Sequence, residues 1–498
     1  MKQMGTTGKN FITVSVMIFF SKVLGFCREI VFAFVFGTTA LTDAFQVIFS
    51  FPGLFFASIG QALSAVNIPD LTYYVNERSL EERNRYIANL LGQITLVCGA
   101  ISLLGMVLAP FLAGIIAPGL HDNISHITTA LTRIMMPTLL FVSLTYITAG
   151  ILQVHGHFLL SASISIPFNL LIIASLLLKR HDIIFLGYIT TAGWLLQFLI
   201  QAPALLRDKY SLKLTLNFQD KHTRSMFRQL IPILLGNSVL QLCLIIDRSF
   251  GTHLPEGTAA ALGFGSNLFI TVTSVFIVAM STVVFPRLSE FCLKTDYEGI
   301  RSMLGYAFRT LFFILLPYLI LTAFYYQDII ALVYQRGAFT SDSTAMTALA
   351  FLFYSLAVPG YTCQEIFNRV FYALKKFYIP MRVSLLCVGL NVGLDFLLYK
   401  SAGISGISLS TAFCLLLYGV IMGIMIKREL GGFPLRELMA FGTGLLLPAG
   451  GMLAVIVGFG LLLPGKTGLF FLLPLALSGA VYLVLAYAMR LIPRFRQG

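Results

Sequence analysis

Charge is scarce in this chain of 498 residues: Asp, Glu, Lys and Arg together make up 11%, where a soluble domain carries about 25%. So little polar surface cannot cover a water-soluble protein of this length, and a soluble enzyme is excluded. Tryptophan occurs once. The seven cysteines are scattered, mostly within apolar stretches, and no pair has the spacing of a metal or redox site. They read as small apolar side chains. No Ser/His/Asp set or paired-carboxylate arrangement stands out, and His155 and His157 lack a third ligand, so neither a metal nor a cofactor is expected. The first apolar run is no cleavable signal, because it contains Lys22, Arg28 and Glu29 and is followed by no small-residue cleavage site.

What is abundant is apolar sequence. Hydrophobic residues make up 57%, and the mean hydropathy is +0.87. Fourteen apolar runs between residues 11 and 489 each approach the ~20 residues that a helix needs to cross a bilayer. They lack the strict alternation of barrel strands. The expected fold class is therefore an all-α polytopic membrane protein with 14 transmembrane helices. Twenty-three of the 34 Lys and Arg residues fall in even-numbered loops and the termini, against five in odd-numbered loops. That asymmetry predicts a multi-pass protein with both termini cytoplasmic. The net charge of +13 then serves topology and the anionic headgroups of membrane lipids, and requires no nucleic-acid partner.

The chain contains itself twice. FGTTALTDAF…NIPDL at 36–71 matches FGTHLPEGTAAALGF…VFPRL at 250–288, pairing Gly37 with Gly251 and Pro69 with Pro286. Phe158 and Phe377 then correspond, and Asn169 and Asn391 fall at similar depths. Six spans per repeat is an even number, so both copies enter from the same side, related by an axis along the membrane normal. The expected division is an N-terminal lobe at 1–222, a C-terminal lobe at 223–427 and two additional spans at 428–498. Two such lobes would enclose a cavity near the midplane, the architecture of a transporter.

Six basic residues remain inside the spans: Lys22, Arg28, Arg133, Arg248, Arg309 and Arg369. The acidic ones are Glu29, Asp247, Glu365 and Asp395. Each costs roughly 2.5–3.5 kcal/mol at the bilayer centre, so these residues should line a wet cavity, pair, or reach an interface. Arg133 and Arg309 lie near span ends and are expected to snorkel. Glu29 and Asp247 each adjoin an arginine, and Glu365 precedes Arg369 by four; Asp395 has no evident partner. Lys22 and Arg28 are deep, and Arg248 sits in the matching span of the second copy, which together suggest a cationic cavity for an anionic substrate. GLLLPGKT at 460–467 matches the phosphate-loop pattern letter for letter. It falls in an apolar turn on the non-cytoplasmic side rather than between a strand and a helix, so no nucleotide is expected.

These segments resemble one family. SKVLGFCREIVFAFVFGTTALTDAF at 21–45, IDRSFGTHLPEGTAAAL at 246–262, VVFPRLSE at 283–290, YQRGAFTSDS at 334–343, FNRVFYALKKFYIPMRVS at 367–384 and AGISGISLSTA at 402–412 are similar, in this order, to the MurJ (MviN) lipid II flippases. The resemblance implies two six-helix lobes plus two helices, within the multidrug/oligosaccharidyl-lipid/polysaccharide exporter superfamily. It also implies a transporter, not an enzyme, that carries the undecaprenyl-pyrophosphate-linked peptidoglycan precursor across the bacterial cytoplasmic membrane. Lys22, Arg28 and Arg248 would then hold the pyrophosphate, with Glu29, Asp43 and Asp247 organising the cations, and spans 13 and 14 would shelter the lipid tail. Lys22 stands where Arg is usual, which keeps the charge but loses the bidentate fork. The family's arginine pair after the second-span proline is replaced by Gly53-Leu54-Phe55-Phe56, its N-R-L by Ser266-Asn267-Leu268, and a common Lys by Glu365. The cavity is therefore expected to be less cationic than the family pattern. Alternatives are export of another polyprenyl-linked glycan, or a drug or cation antiporter, which the basic excess among the membrane charges disfavours. A membrane-embedded transferase would need a sizeable donor-binding loop, and none is present.

Overall fold

The computed structural model describes residues 2–50, 71–75, 77–120, 122–178, 182–210, 215–217, 219, 228, 231–462 and 471–493. Side chains are described from Val16 onward. Every regular element among the described residues is an α-helix. Eight helices are long and apolar enough to cross a bilayer, or ten when two bent pairs each count as one span.

A helix underlies each predicted span. The first runs Lys2–Phe36. The second is described over Ala40–Ser50; the rest of predicted span 44–66, with the Gly53–Phe56 departure, lies outside the described residues. Several spans are broken where the sequence disfavours a straight helix. The third stops at Val107 and restarts at Ala109 with Pro110 in its first turn, a position where a proline loses no helical hydrogen bond. The fourth is interrupted between Met135 and Thr138, at Pro137. The seventh, Ile231–Asn237 plus Val239–Gly251, bends by 62°, and the tenth, Ser341–Ser355 plus Val358–Ala373, by 48°. Predicted spans 11 and 12 form one helical run, Tyr378–Glu429, reversed only at Gly403, where φ is +55°. A single residue in a conformation open to glycine replaces the expected loop.

Caps are built from the polar residues outside the apolar runs. Ser79 and Glu82 form a reciprocal capping box at the start of Leu80–Val107. Asp182 accepts from Phe185 N at 2.8 Å, and Asp296 from Gly299 N at 2.8 Å. Each satisfies an amide that the first helical turn leaves without a partner.

The burial pattern is that of a protein in lipid. Large apolar side chains point outward, among them Val107, Leu178, Phe396 and Leu461, while Thr190, Gln201, Asp247, Asn391 and Asp395 are fully enclosed. Lipid tails leave no reason to hide leucine and every reason to hide amides and carboxylates. The chain packs as two compact units, Met1–Ala260 with Arg336–Phe339, and Ala261–Gln335 with Thr340–Gly498.

Candidate substrate cavity

In the first unit, five helices surround a cavity of about 460 Å³: Lys2–Phe36, Thr138–Val154, Phe158–Ser163, Ser165–Leu178 and Ile183–Arg207. The first helix contributes Ile18, Ser21, Gly25 and Arg28, with Lys22 beside them. Spacings of three and four put this set on one helical face, which is why the two deepest cations of the first span open into the same space.

Arg28 is held from both ends. Its Nη2 lies 2.6 Å from Glu29 Oε1, with both side chains largely enclosed. The guanidinium also sits 5.4 Å from the Phe168 ring centroid and 5.8 Å from that of Phe49. Phe168 packs on Trp194 with centroids 4.9 Å apart, and the wall of the cavity continues from that lone indole. Gln153, Asn169 and Gln197 complete the lining with amides. Asn169 Nδ2 donates to Ser165 O at 2.9 Å, which aims its amide oxygen. Counting Lys22, Arg28 and Glu29 together, the site carries one net positive charge. It is an amphipathic pocket with a fixed guanidinium, a lysine, three amides and an aromatic wall, suited to an anionic polar head.

The remaining predicted residues lie elsewhere. Asp43 and Arg248 serve contacts away from this lining, and Asp247 is fully buried in the helix that carries Arg248. Arg248 Nη1 donates to Ser50 Oγ. Asp43 accepts from Gly257 N at 2.7 Å and from Ala260 N at 2.6 Å, at the start of the Thr258–Leu293 helix. Glu256 returns the contact, accepting from Ala40 N at 2.9 Å. Each repeat segment thus caps the helix of the other. Gly257, at φ +87°, is fixed by that approach, since a Cβ there would sit 2.4 Å from Thr38 O. Gly37 is fixed in the same way against Ala338 O, and Ala338 N donates to Phe34 O at 2.9 Å.

Other membrane charges resolve individually. Arg133 Nε reaches Met106 O at 3.3 Å at an exposed position, and Arg309 Nη1 lies 3.7 Å from Glu437 Oε2. Arg369 Nε donates to Ser281 Oγ at 2.9 Å and covers Phe285; no ion pair joins it to Glu365 among the described residues. Asp395 lies in a fully buried cluster of the second unit. Ser410 Oγ donates to its carboxylate, and Asn391 Nδ2 donates to Ser410 Oγ at 3.0 Å and Thr411 Oγ1 at 3.1 Å. Sequence reasoning missed this network, and it missed Trp194, Gln153 and Gln197 as cavity residues. The available signal was an amide or carboxylate inside an apolar span, repeated at i+4 as in Asn391 and Asp395.

Comparison with known proteins places this geometry. The family profile described as lipid II flippase MurJ matches residues 32–478. A probable lipid II flippase MurJ from Buchnera aphidicola subsp. Baizongia pistaciae is 28% identical over 76% of this chain and 75% of its own length. A lipid II flippase MurJ from Burkholderia cenocepacia is 25% identical over 80% of each. Among solved structures, a lipid II flippase MurJ in an inward closed conformation superposes with a TM-score of 0.81 at 23% identity, covering 97% of this chain and 100% of that one. An inward-facing multidrug resistance MATE family transporter shares the fold at 11% identity, with a TM-score of 0.68 over 84% of this chain and 98% of its own.

Proposed function

This chain belongs to the MurJ lipid II flippase family, a family of multi-pass inner-membrane transporters rather than enzymes, and on that premise we propose how it moves lipid II. The headgroup enters the cavity of the first unit, where Lys22 and Arg28 take the pyrophosphate. Glu29 keeps the Arg28 fork in place and limits the charge to what a reversible carrier needs. Trp194 and the amides of Gln153, Asn169 and Gln197 face the sugars, a flat apolar ring and paired donors and acceptors being the usual complement of a pyranose. The observation that carries this reading is the convergence of Lys22, Arg28 and Trp194 on one cavity.

Transport follows as alternating access by two lobes, 1–222 and 223–427, with residues 428–498 sheltering the prenyl tail and both termini in the cytoplasm. The reciprocal caps of Asp43 and Glu256 hold the matching repeat segments together, and release of the headgroup requires that they part. In this scheme Asp43, Asp247 and Arg248 act on the conformational change rather than on the substrate. Moving an anionic head outward from a negative interior gains about 2.3 kcal/mol per charge per 100 mV, so the membrane potential assists the step without a nucleotide.

The test is rescue of a bacterium depleted of its own flippase, scored by exposure of lipid II on the outer leaflet. The wild-type chain is expected to rescue and a stably expressed Arg28→Ala variant to fail. Full rescue by that variant would overturn the assignment.

A further inference from the structure

A second basic cavity lies in the second unit, remote in sequence from Lys22 and Arg28. It measures about 760 Å³ and is lined by Ser302, Tyr306, Arg309, Phe441, Tyr487 and Arg490, among others. The Tyr297–Tyr334 helix supplies the first three, and their spacing of four and three puts them on one face. The Leu435–Gly444 helix supplies Phe441, and the end of Leu472–Ala488 supplies Tyr487 and Arg490. Arg490 is fixed where it stands. Its N–H donates to Tyr487 O at 3.0 Å, the next N–H donates to Ala486 O at 2.9 Å, and its φ is +55°. That pattern closes the helix end and sets the direction of the side chain's stem.

The two arginines are differently occupied. Arg309 faces Glu437 at 3.7 Å across a gap open to solvent, so that pair is weak and screened. Arg490 is in no ion pair among the described residues. The cavity therefore has positive charge to spare, ringed by two phenols and a phenylalanine. The Tyr297–Tyr334 and Leu435–Gly444 helices begin, and the Leu472–Ala488 helix ends, on the side that the Lys and Arg asymmetry assigns to the cytoplasm. Beside it, the Leu472–Ala488 helix exposes Leu483 and Val484, an apolar flank that continues into the bilayer.

We propose that this cavity binds the phosphate of an anionic membrane phospholipid at the cytoplasmic headgroup layer. Arg309 and Arg490 hold the phosphodiester as bidentate donors, the Tyr306 and Tyr487 phenols take the interfacial position that aromatic residues favour, and the acyl chains run along Leu483 and Val484. Charge complementarity and the continuous apolar flank select a lipid over a soluble anion. The inference rests on the orientation of the chain and not on what the cavity around Lys22 carries.

The experiment titrates the full-length protein, in an uncharged detergent, with phosphatidylglycerol, phosphatidylcholine or inorganic phosphate, and follows the thermal unfolding midpoint. Phosphatidylglycerol is expected to raise the midpoint, while phosphatidylcholine and inorganic phosphate leave it in place. Its apparent affinity should fall about fivefold for each arginine removed in Arg309→Gln and Arg490→Gln. A control pair, Arg78→Gln with Arg85→Gln on another cytoplasmic segment, should leave it unchanged. Should the double variant fail to fold, Arg490→Gln alone, at an exposed position, carries the same expectation. Equal losses in the control pair, equal stabilisation by phosphatidylcholine, or stabilisation by inorganic phosphate alone would each overturn the proposal.

Discussion

Asn169 and Asn391 fall at similar depths in the two halves of the sequence, yet their surroundings differ. Asn169 borders an open cavity with Lys22, Arg28 and Trp194, and among the described residues its amide bonds within its own turn, to Ser165 O. Asn391 is fully enclosed and ties Ser410 and Thr411, with Asp395, into one network across the Gly403 reversal. One asparagine thus borders a cavity and the other joins two helical segments. On the proposed reading the first asparagine faces the substrate and the second joins helices, and residue type alone does not separate the two roles.

The largest effect should come from emptying the first region of its fixed charge. Arg28→Ala removes a charge-assisted contact of about 1.5–3 kcal/mol and is expected to slow lipid II translocation at least tenfold in membrane vesicles, with some loss of stability because the largely enclosed Glu29 loses its partner. The paired substitutions come next. Asn391→Ala should destabilise by about 1–3 kcal/mol, because Ser410 and Thr411 lose a buried partner, and a lowered unfolding midpoint would show it. Asn169→Ala should shift that midpoint less and the translocation rate more. Equal effects of both on stability would erase the distinction.

The junction between the repeat segments gives an intermediate case. Asp43→Ala leaves the Gly257 and Ala260 amides uncapped and should lower stability by about 1–2 kcal/mol, readable in the same melting experiment; Asp43→Asn, which keeps an acceptor, should recover much of it. The smallest effect concerns the segment clamped on the Leu80–Val107 helix outside the spans. Tyr210 Oη and His155 Nε2 are hydrogen-bonded, Arg83 lies 4.1 Å from the Tyr210 ring centroid, and Thr215 N donates to Ala88 O at 3.2 Å. Partial burial lowers the His155 pKa from its ordinary value, with Arg83 and His157 adding to the effect against Asp208. The folded chain therefore prefers neutral His155. Its contribution is present above the unfolded-state value and is lost as pH falls through the lower folded one. Hydrogen exchange at Thr215 and Asn217 should quicken modestly over that acid range, and His155→Gln should flatten the dependence.

Much of this was legible in the residues. Apolar run length pointed to the spans, and the depth of Lys22 and Arg28 in the first span pointed to two residues that do line the cavity. Pairing was harder. Glu29 beside Arg28 does form the expected bond, whereas Arg369, four residues from Glu365, turns to Ser281 instead, because partner choice depends on which neighbouring helix offers an oxygen. Asp43 carries a family signature and an acidic side chain, but its two backbone donors come from residues more than two hundred positions away, a distance that no local pattern spans. The broken helices were visible only as prolines and glycines, such as Pro137 and Gly403, whose effects depend on what packs around them.

The central claim is that the cavity of the first unit, and not the sealed network of the second, holds the headgroup. Equilibrium binding of lipid II to purified wild-type, Arg28→Gln and Asn391→Ala protein, compared at equal folded fraction, tests it most directly. The account predicts a loss of at least about tenfold in affinity for Arg28→Gln and none for Asn391→Ala; unchanged binding by Arg28→Gln would contradict it.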